Sequence, residues 1–394
     1  MPKLASRNDA VRPSPTLAIT ARANALKAQG VDVVGFGAGE PDFDTPTHIC
    51  DAAIAAIKAG FTRYTPQAGI AELRDAVAAR ATRDLGLPFA RENVAVTVGG
   101  KQGIFNFFMS VLEPGEEVLI PTPCWVSYPD QVVIAGGKPV FVEGTPERGY
   151  IPSSTQLAAA VTPKTKALVI CSPSNPTGAI WSDSDLGAAA ELARQHDLWI
   201  LSDEIYSELV YEGRHRSVLH VAPGAASRVC VATGASKTYA MTGWRVGWII
   251  APAPLAKAVA VLTGHEVSAP TSFAQKGAVA ALTGSQDDLP RWRSSFRQRR
   301  DRSVELCRTV PGFQPFVPGG AFYLWIDVRE LLASKPQGIA TSDALAARLL
   351  DEAKVALVPG SAFCAEGFLR VSFATSMEKI EEGFKRIRAF VEGL

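Results

Sequence analysis

Between about residues 46 and 285, Ala-rich segments with helical periodicity alternate with short runs of β-branched and other apolar residues. This alternation is typical of a parallel sheet wrapped by helices. Because nearly every position in the short runs is apolar, we expect strands that are covered on both faces. Examples of the predicted strands are 94–98, 117–120, 167–171, 199–202, 228–233 and 246–250.

A change in composition after residue 285 predicts a second domain. A long charged helix is expected over 289–309, followed by an apolar run that ends at Asp327 and by a final α/β segment. A chain of 394 residues exceeds one ordinary domain. We therefore predict a large ligand-binding domain over 46–285, a smaller domain over 286–394, and an N-terminal segment, 1–45, that packs with the smaller domain. Ligands of such sheets bind at the carboxyl ends of the strands.

The charge balance excludes several classes of partner. Lys and Arg total 40 against 39 for Asp and Glu, which gives no electrostatic reason to expect nucleic acid or an anionic membrane. One basic cluster stands out, in which the arginines alternate with apolar residues at helical spacing, and we interpret it as a solvated helix face. Its members are Arg291, Arg293, Arg297, Arg299, Arg300 and Arg302.

The cysteines and the hydropathy indicate a cytoplasmic protein. The six cysteines lie far apart and show neither metal-ligand nor redox spacing, so we expect reduced thiols and no metal site. The N-terminus lacks an apolar signal core, and no uncharged stretch reaches the roughly 18 residues that would span a bilayer.

Lys237 is the first candidate for chemistry, because it stands among hydroxyls and glycines in Gly234-Ala-Ser-Lys-Thr-Tyr-Ala-Met-Thr-Gly-Trp-Arg-Val-Gly247. A lysine amine titrates at about 10.4, so a nucleophilic lysine must be desolvated or placed near other cations. Arg245, eight residues on, offers a planar fork of donors for a phosphate. Taken alone, such a run is also compatible with a surface loop.

Three further motifs follow predicted strands. Gly99-Gly-Lys-Gln102 opens a helix, whose first N–H groups can bind a phosphate or simply pack tightly. Asn175, between two prolines, is held rigidly in a turn. Asp203, with Tyr206 three residues on, is either a helix N-cap or the partner of a buried pyridinium nitrogen.

Taken together and in this order, the motifs resemble those of class I aminotransferases of fold type I, which depend on pyridoxal 5′-phosphate (PLP). The resemblance runs from about residue 14 to the C-terminus. It is strongest to the bacterial aspartate/prephenate aminotransferase subgroup, through 39–44, 99–102 and 125–128. It implies an α/β fold with a mostly parallel central sheet in a large PLP-binding domain, and a smaller α/β domain formed by the N- and C-terminal segments.

The resemblance also implies roles for individual residues. Lys237 would hold PLP as a Schiff base and move the substrate's Cα proton, while Asp203 would keep the pyridine nitrogen protonated. Arg370, helped by Gly39, would bind the substrate α-carboxylate as a bidentate fork. The other implied contacts are Gly100, Lys101, Ser236 and Arg245 for the phosphate, Asn175 and Tyr206 for the ring oxygen, and Trp125 stacked on the ring, with Asn175 and Trp125 also bordering the substrate.

Two further implications concern the partner subunit and the substrate side chain. Tyr64 resembles the tyrosine that reaches the phosphate of the neighbouring subunit, which implies a homodimer with shared active sites. The candidates for binding a second substrate carboxylate are Lys101, Arg12, Ser14 and Thr16. Dicarboxylic amino acids are therefore the first expectation.

The sequence departs from the family pattern at two places. Gly234 stands where many members carry a serine, which leaves Ser236 or Thr233 to offer a hydroxyl to the phosphate. His265 and Glu266 stand where the subgroup usually has small polar residues near the partner's active site. An acidic Glu266 facing the pocket would repel a second carboxylate and favour a basic or hydroxylated substrate; a solvent-facing or helix-capping pair is the alternative.

The resulting hypothesis is a homodimeric PLP-dependent transaminase of amino acid metabolism. It would move an amino group from an L-amino acid, first of all aspartate or glutamate, to a 2-oxo acid by a ping-pong mechanism. Three alternatives remain open: an aminotransferase for a basic, aromatic or hydroxylated amino acid, a PLP-dependent lyase or synthase of the same fold, and a regulatory module. The last is disfavoured because the first 45 residues are too short and too weakly basic for a DNA-binding segment.

Overall fold

The computed structural model describes residues 2–5, 7–11, 15–334 and 336–394. The strands are β1 Val34–Gly35, β2 Val94–Thr97, β3 Glu117–Thr122, β4 Lys138–Glu143, β5 Thr165–Cys171, β6 Trp199–Asp203, β7 Val229–Gly234, β8 Gly247–Ile250, β9 Gln314–Phe316, β10 Tyr323–Asp327, β11 Val355–Ala356, β12 Val358–Pro359 and β13 Phe368–Ser372. The helices are α1 Arg7–Ala10, α2 Pro15–Ala28, α3 Thr47–Lys58, α4 Ala71–Leu85, α5 Gly99–Val111, α6 Ser127–Ile134, α7 Ser154–Ala159, α8 Asp183–Gln195, α9 Val218–Val221, α10 Ala235–Thr238, α11 Ala253–Val267, α12 Ser272–Thr283, α13 Asp288–Cys307, α14 Arg329–Ala333, α15 Ser342–Asp351 and α16 Met377–Glu392.

A seven-stranded sheet in the order β2-β8-β7-β6-β5-β3-β4 forms the centre of the molecule. All neighbouring strands are parallel except β8, which runs antiparallel to β2 and β7. Successive residues of one strand belong to different cores: Leu168 and Ile170 pack in one cluster, while Ala167 and Val169 pack in another. The sheet is therefore covered on both faces, as its apolar strands predicted.

Each of the six strands named from the sequence overlaps an observed one, and β4 was not among the strands named. This strand lies at the edge of the sheet, and its two terminal residues, Lys138 and Glu143, are exposed. The run Val140-Phe-Val142 is apolar, so a signal for β4 was present, but the proline before it, Pro139, argues against a central strand and is tolerated at an edge.

Short polar side chains and glycine mark the helix ends. The Ser182 hydroxyl accepts from the Asp185 N–H at 3.1 Å before α8, and the Thr341 hydroxyl accepts from the Ala344 N–H at 3.2 Å before α15. Gly86 ends α4 in the left-handed conformation, with φ of 71°. These residues satisfy backbone groups that the helix leaves without partners.

A four-stranded antiparallel sheet, β12-β13-β10-β9, forms a second layer with its own apolar cluster. The N-terminal segment joins this part of the molecule, because β1 pairs with β11 and the Phe36 carbonyl accepts from the Ser372 N–H at 2.9 Å. The division into domains at residues 45/46 and 285/286 remains a prediction.

The arginines of α13 correct one expectation. Arg291 is exposed, but Arg299 pairs with Asp42 at 2.6 Å, and Arg300 is buried with its Cζ 4.9 Å from the Tyr211 ring centroid. The prediction of a single solvated face is therefore wrong for these two residues, because α13 packs against the rest of the chain on more than one side. In the part of the chain that the structure describes, no helix is long and apolar enough to cross a membrane.

Candidate active site

A cavity of about 280 Å³ lies at the carboxyl ends of the central parallel strands. Strands β5 and β6 end in register at Cys171 and Asp203, so the loops that follow them meet at one edge of the sheet. The cavity brings together residues that the sequence analysis singled out in distant parts of the chain: Gly39, Gly100, Lys101, Trp125, Asn175, Asp203, Tyr206, Ser236, Lys237, Arg245 and Arg370.

Lys237 lies on α10, directly after β7, and its Nζ donates to the Gly39 carbonyl at 2.5 Å. Burial lowers its pKa to about 8, and the positive charges of Arg245 and Arg370 act in the same direction. A desolvated lysine with a lowered pKa is a nucleophile and a base near neutral pH. Lys237 therefore has the chemical properties that its sequence context suggested.

Asp203 ends β6 and is buried. Its Oδ2 accepts from the Tyr128 hydroxyl at 2.5 Å, and its Oδ1 accepts from the Ile205 N–H at 3.2 Å. Burial raises its pKa to about 6, although both of these hydrogen bonds act in the opposite direction. A buried carboxylate without an ion-pair partner among the described residues is suited to a cationic ligand atom.

Arg370 is buried at the centre of β13, and its guanidinium Cζ lies 4.3 Å from the Tyr323 ring centroid and 4.8 Å from that of Phe363. Nη1 donates to Asn175 Oδ1 at 2.9 Å, and Nη2 donates to the Gly37 carbonyl at 3.0 Å. Its Nε is buried and has no hydrogen-bond partner in the described part of the chain. A guanidinium held this rigidly beside a cavity is suited to binding a carboxylate.

Further positive charge and a helix N-terminus line the same cavity. Helix α5 begins at Gly99, whose φ of 75° suits glycine and whose added Cβ would lie 2.5 Å from Arg245 Nη2. Lys101 lies over the Trp125 ring, with its Nζ 5.1 Å from the centroid. Partial burial, followed by the charge of Arg245, lowers the pKa of Lys101. N–H groups at a helix N-terminus together with cations favour an anion such as phosphate.

Comparison with known proteins identifies the family. The model of the aminotransferase class I and II family matches residues 31–387. This chain belongs to that family. It is 45% identical to an aspartate aminotransferase of Geobacillus stearothermophilus. The alignment spans 391 residues and covers 99% of this chain and 99% of the relative. It is 42% identical to an aspartate/prephenate aminotransferase of Nitrosomonas europaea, which covers 99% of this chain and 100% of the relative.

A solved structure of an aspartate aminotransferase from Thermus thermophilus with maleate has a TM-score of 0.94 and 42% identity, and it covers 100% of both chains. The predicted class I aminotransferase family and the predicted fold class are thus confirmed, and the chain is an aminotransferase.

The structure gives a physical reason for one departure from the usual aminotransferase pattern. A Cβ on Gly234 would lie 2.7 Å from the Cα of Gly247, and a Cβ on Gly247 would lie 2.4 Å from the Gly100 nitrogen. A serine at 234 would therefore collide with the backbone of β8. Of the two remaining hydroxyls, that of Ser236 belongs to a cavity-lining residue, while Thr233 Oγ1 donates to the Glu204 carbonyl at 3.3 Å.

Several aminotransferase site residues predicted from the sequence lie away from this cavity. Tyr64 is 89% exposed, and His265 and Glu266 are exposed in the last turn of α11. Glu266 Oε2 accepts from Gln102 Nε2 at 2.6 Å and from Asn106 Nδ2 at 3.3 Å. Arg12 and Ser14 lie outside the described residues; Thr16 lies in the first turn of α2, whose side chains there also fall outside the description.

The sequence analysis gave no role to some residues that line the cavity, chiefly Tyr128 and Tyr323. The Tyr128 hydroxyl donates to Asp203, and that of Tyr323 lies 2.8 Å from the Tyr206 hydroxyl. A signal existed for Tyr128, which follows Trp125 by three residues, and the two ring centroids lie 5.2 Å apart. Others that went unassigned are Thr20, Gly37, Ile104, Cys171 and Ile205.

A larger cavity, of about 620 Å³, lies over the sheet face that carries Val231 and Trp248. Its polar groups bind one another: Glu204 accepts from His215 Nε2 at 2.9 Å and from Ser217 at 2.6 Å, and Arg80 pairs closely with Glu208. Burial alone would raise the pKa of Glu204, but hydrogen bonds and the charge of His215 outweigh it, so the pKa is lowered. The described residues that line this cavity include neither a lysine nor a cysteine, whereas Lys237 lines the smaller one, and we assign the chemistry to the smaller cavity.

Proposed function

We propose that this chain is a PLP-dependent aminotransferase that moves the amino group of aspartate or glutamate to a 2-oxo acid by a ping-pong mechanism. One observation carries the proposal. A single cavity combines Lys237, whose pKa is about 8, with Asp203 and Arg370, which make no ion pair within the described residues.

The residues around the cavity fit PLP as a resident cofactor. The N–H groups at the start of α5, with Ser236 and Arg245, would hold the phosphate. Asp203 would hold the protonated pyridine nitrogen, which supplies the counter-charge that this buried carboxylate lacks. When bound, PLP supplies an electron sink for negative charge that develops at the substrate Cα.

The chain's own residues divide the remaining tasks. Arg370 binds the substrate α-carboxylate, which fixes the direction of the Cα–H bond. Lys237 Nζ accepts the Cα proton, because a pKa of about 8 leaves a useful fraction of neutral amine at physiological pH. The Tyr128 hydroxyl holds Asp203 in place at 2.5 Å.

We propose Lys101 as the group that binds the second carboxylate of a dicarboxylic substrate. Its Nζ is held over the Trp125 ring on the cavity lining, and it makes no ion pair among the described residues. The Thermus thermophilus relative with maleate, itself a dicarboxylate, supports this substrate class. Arg12, Ser14 and Thr16 remain candidates for the same task.

We also propose a homodimer in which Tyr64 contacts the partner's phosphate site. Tyr64 is 89% exposed, and exposed apolar side chains on α3 and α11 accompany it, among them Ile54, Ile57 and Val267. Exposed apolar groups of this kind favour an interface between subunits. The cytoplasmic location remains a prediction, supported by six free cysteines.

The test is the absorbance spectrum of the PLP-loaded protein during titration with one amino acid at a time. We expect aspartate and glutamate to convert the cofactor to its amino form, with one equivalent of 2-oxo acid released. A spectrum that no amino acid changes would refute the proposal. Release of ammonia without the amino form of the cofactor would indicate a lyase instead.

Lys101→Met tests the substrate side chain. The KM for aspartate should rise by about 10- to 100-fold, as expected for a lost charged hydrogen bond, while the KM for alanine should stay unchanged. Alanine is the internal control, since it lacks the second carboxylate. Equal losses for both amino acids would contradict the assignment of Lys101.

A further inference from the structure

The Tyr323 side chain contacts two groups to which the proposed function assigns different tasks. Its hydroxyl oxygen lies 2.8 Å from the Tyr206 hydroxyl oxygen, and its ring centroid lies 4.3 Å from the Cζ of Arg370. Tyr323 is buried, and a Cβ on Gly39 would approach its hydroxyl to 3.1 Å. One rigid residue therefore touches both the candidate ring-oxygen ligand and the candidate carboxylate ligand.

The single proton of a phenol decides what this contact can do. If Tyr206 donates its proton to Tyr323, it has none left for a ligand; if Tyr323 donates, the Tyr206 proton remains available. In the described part of the chain, the Tyr323 hydroxyl has one hydrogen-bond partner, which is Tyr206. The direction of this hydrogen bond therefore controls whether Tyr206 can act as a donor in the cavity.

Arg370 biases that direction. Its positive charge lies against the face of the Tyr323 ring and makes this phenol easier to ionise. Burial raises the pKa of both phenols, and that of Tyr206 stands well above its ordinary value. A cation stacked on a phenol ring makes its O–H the better donor, and Arg370 Cζ lies 4.3 Å from the Tyr323 ring centroid, so this geometry favours Tyr323 as the donor to Tyr206. The titratable groups around Tyr323 are Tyr206, Arg370 and Cys171.

We propose that Tyr323 is a positioning residue with two separable parts: its hydroxyl directs the Tyr206 proton toward the ligand, and its ring fixes the Arg370 guanidinium for carboxylate binding. This inference rests on the proposed function, because it assumes that Tyr206 faces the cofactor oxygen. It assigns Tyr323 no contact with the reacting atoms.

Tyr323→Phe removes the hydroxyl and keeps the ring. In the proposal, the hydrogen bond from Tyr206 to the anionic cofactor oxygen stabilises the deprotonated form of the cofactor. A weaker Tyr206 donor stabilises that form less, so the cofactor loses its proton at a higher pH. The pH midpoint of the holoenzyme's visible absorbance change should therefore rise, by about 0.5 to 1 pH unit. The Kd of a non-reactive dicarboxylate such as maleate should stay within about twofold, because the contact between ring and guanidinium remains.

Tyr323→Leu removes both parts. The absorbance midpoint should shift as in Tyr323→Phe, and the Kd for maleate should in addition rise by about 3- to 30-fold, as expected for a desolvated cation–π contact. An unchanged Kd in the leucine variant would overturn the role of the ring.

The double variant Tyr206→Phe/Tyr323→Phe tests whether the Tyr323 hydroxyl acts through Tyr206. Once Tyr206 has no hydroxyl, loss of the Tyr323 hydroxyl should move the midpoint no further. Independent, additive shifts would overturn the proposal, as would an unshifted midpoint in Tyr323→Phe. Tyr211→Phe is the matched control: its hydroxyl is buried and donates to the Ala321 carbonyl outside the cavity, so the midpoint should not move.

The wild-type holoenzyme separates failure of this inference from failure of the proposed function. If its spectrum changes with pH and with aspartate while Tyr323→Phe matches it, Tyr323 is not a positioning residue and the proposed function stands. If the wild-type spectrum responds to no amino acid, the proposed function itself fails.

Discussion

The two cavities of this protein treat buried charge in opposite ways. In the larger cavity Glu204 accepts from His215, Ser202 and Ser217, and Arg80 pairs with Glu208. In the smaller cavity Lys237 and Arg370 donate only to backbone carbonyls or an amide, and no ion pair compensates them within the described residues. Glu204 and Arg80 of the larger cavity are therefore compensated by neighbouring side chains, whereas Lys237 and Arg370 of the smaller cavity are not compensated by an ion pair among the described residues.

Removing the amine of the smaller cavity should have the largest effect. In Lys237→Ala the rate of the aspartate half-reaction should fall by on the order of 10⁴-fold, since the proton-transfer group is lost. Single-turnover absorbance measures this rate. Lys276→Ala, which removes a lysine paired with Glu72 on the surface, should leave the rate unchanged. A loss within tenfold in Lys237→Ala would contradict the assignment.

Arg370→Lys should have the next largest effect, because it keeps the charge and removes the planar fork. The kcat/KM for aspartate should fall by about 10- to 100-fold, with PLP affinity unchanged. Steady-state kinetics and a PLP titration check the two parts. An unchanged kcat/KM would show that the carboxylate binds elsewhere.

Neutralising one acid in each cavity should separate activity from stability. Glu204→Gln should destabilise the protein by about 2 to 3 kcal/mol, because its donors lose a charged acceptor. Asp203→Asn should abolish measurable transamination without destabilising the cofactor-free protein. Urea unfolding and the aspartate half-reaction measure the two effects. Loss of stability in Asp203→Asn would place its carboxylate among the structural charges.

The pH dependence of stability sharpens the same contrast. Asp203 titrates at about 6 in the folded state against an ordinary 3.8, so the folded state binds more protons between these values and stability falls as pH rises through them. Above pH 6, the raised pKa of Asp203 lowers the free energy of unfolding of the cofactor-free protein by up to about 3 kcal/mol. Asp203→Asn should remove that decline.

Lys237 has the opposite effect on how the free energy of unfolding changes with pH. Its pKa of about 8 against an ordinary 10.5 means that the unfolded state binds more protons between these values, so stability rises with pH there. Lys237→Met should flatten this rise. Unfolding of the cofactor-free variants at a series of pH values measures both effects, and curves parallel to wild type would contradict the two assignments.

A pair of hydroxyl substitutions should give the smallest difference. Ser236→Ala should weaken PLP binding by about tenfold, as expected for one hydrogen bond to a charged group. Thr233→Val should leave PLP affinity unchanged and cost about 1 kcal/mol of stability, since its bond to the Glu204 carbonyl is lost. Equal PLP affinities in the two variants would remove Ser236 from the phosphate site.

The sequence predicted those parts of the molecule that depend on local pattern. Apolar runs located the central strands, and the polar residues just after them, such as Asp203 and Asn175, do lie in one cavity. The antiparallel direction of β8 has no local signal, because it depends on how the chain returns to the sheet.

Contacts between residues that are distant along the chain also have no local signal, so the sequence did not predict them. Arg299 meets Asp42, and Tyr323 meets Tyr206 more than a hundred positions away along the chain. Helical spacing described one face of α13 correctly but carried no information on what packs against its other sides. Arg300 is buried there against Tyr211.

The close approach of Gly234, Gly247 and Gly100 limits how this site can change during evolution or design. Three segments meet there main chain against main chain, and neither Gly234 nor Gly247 has room for a methyl group. A serine introduced at 234 alone would collide with the main chain of β8 at Gly247. A serine at 234 requires a wider spacing of these segments, so substitutions at these sites depend on one another, and their order decides which are tolerated.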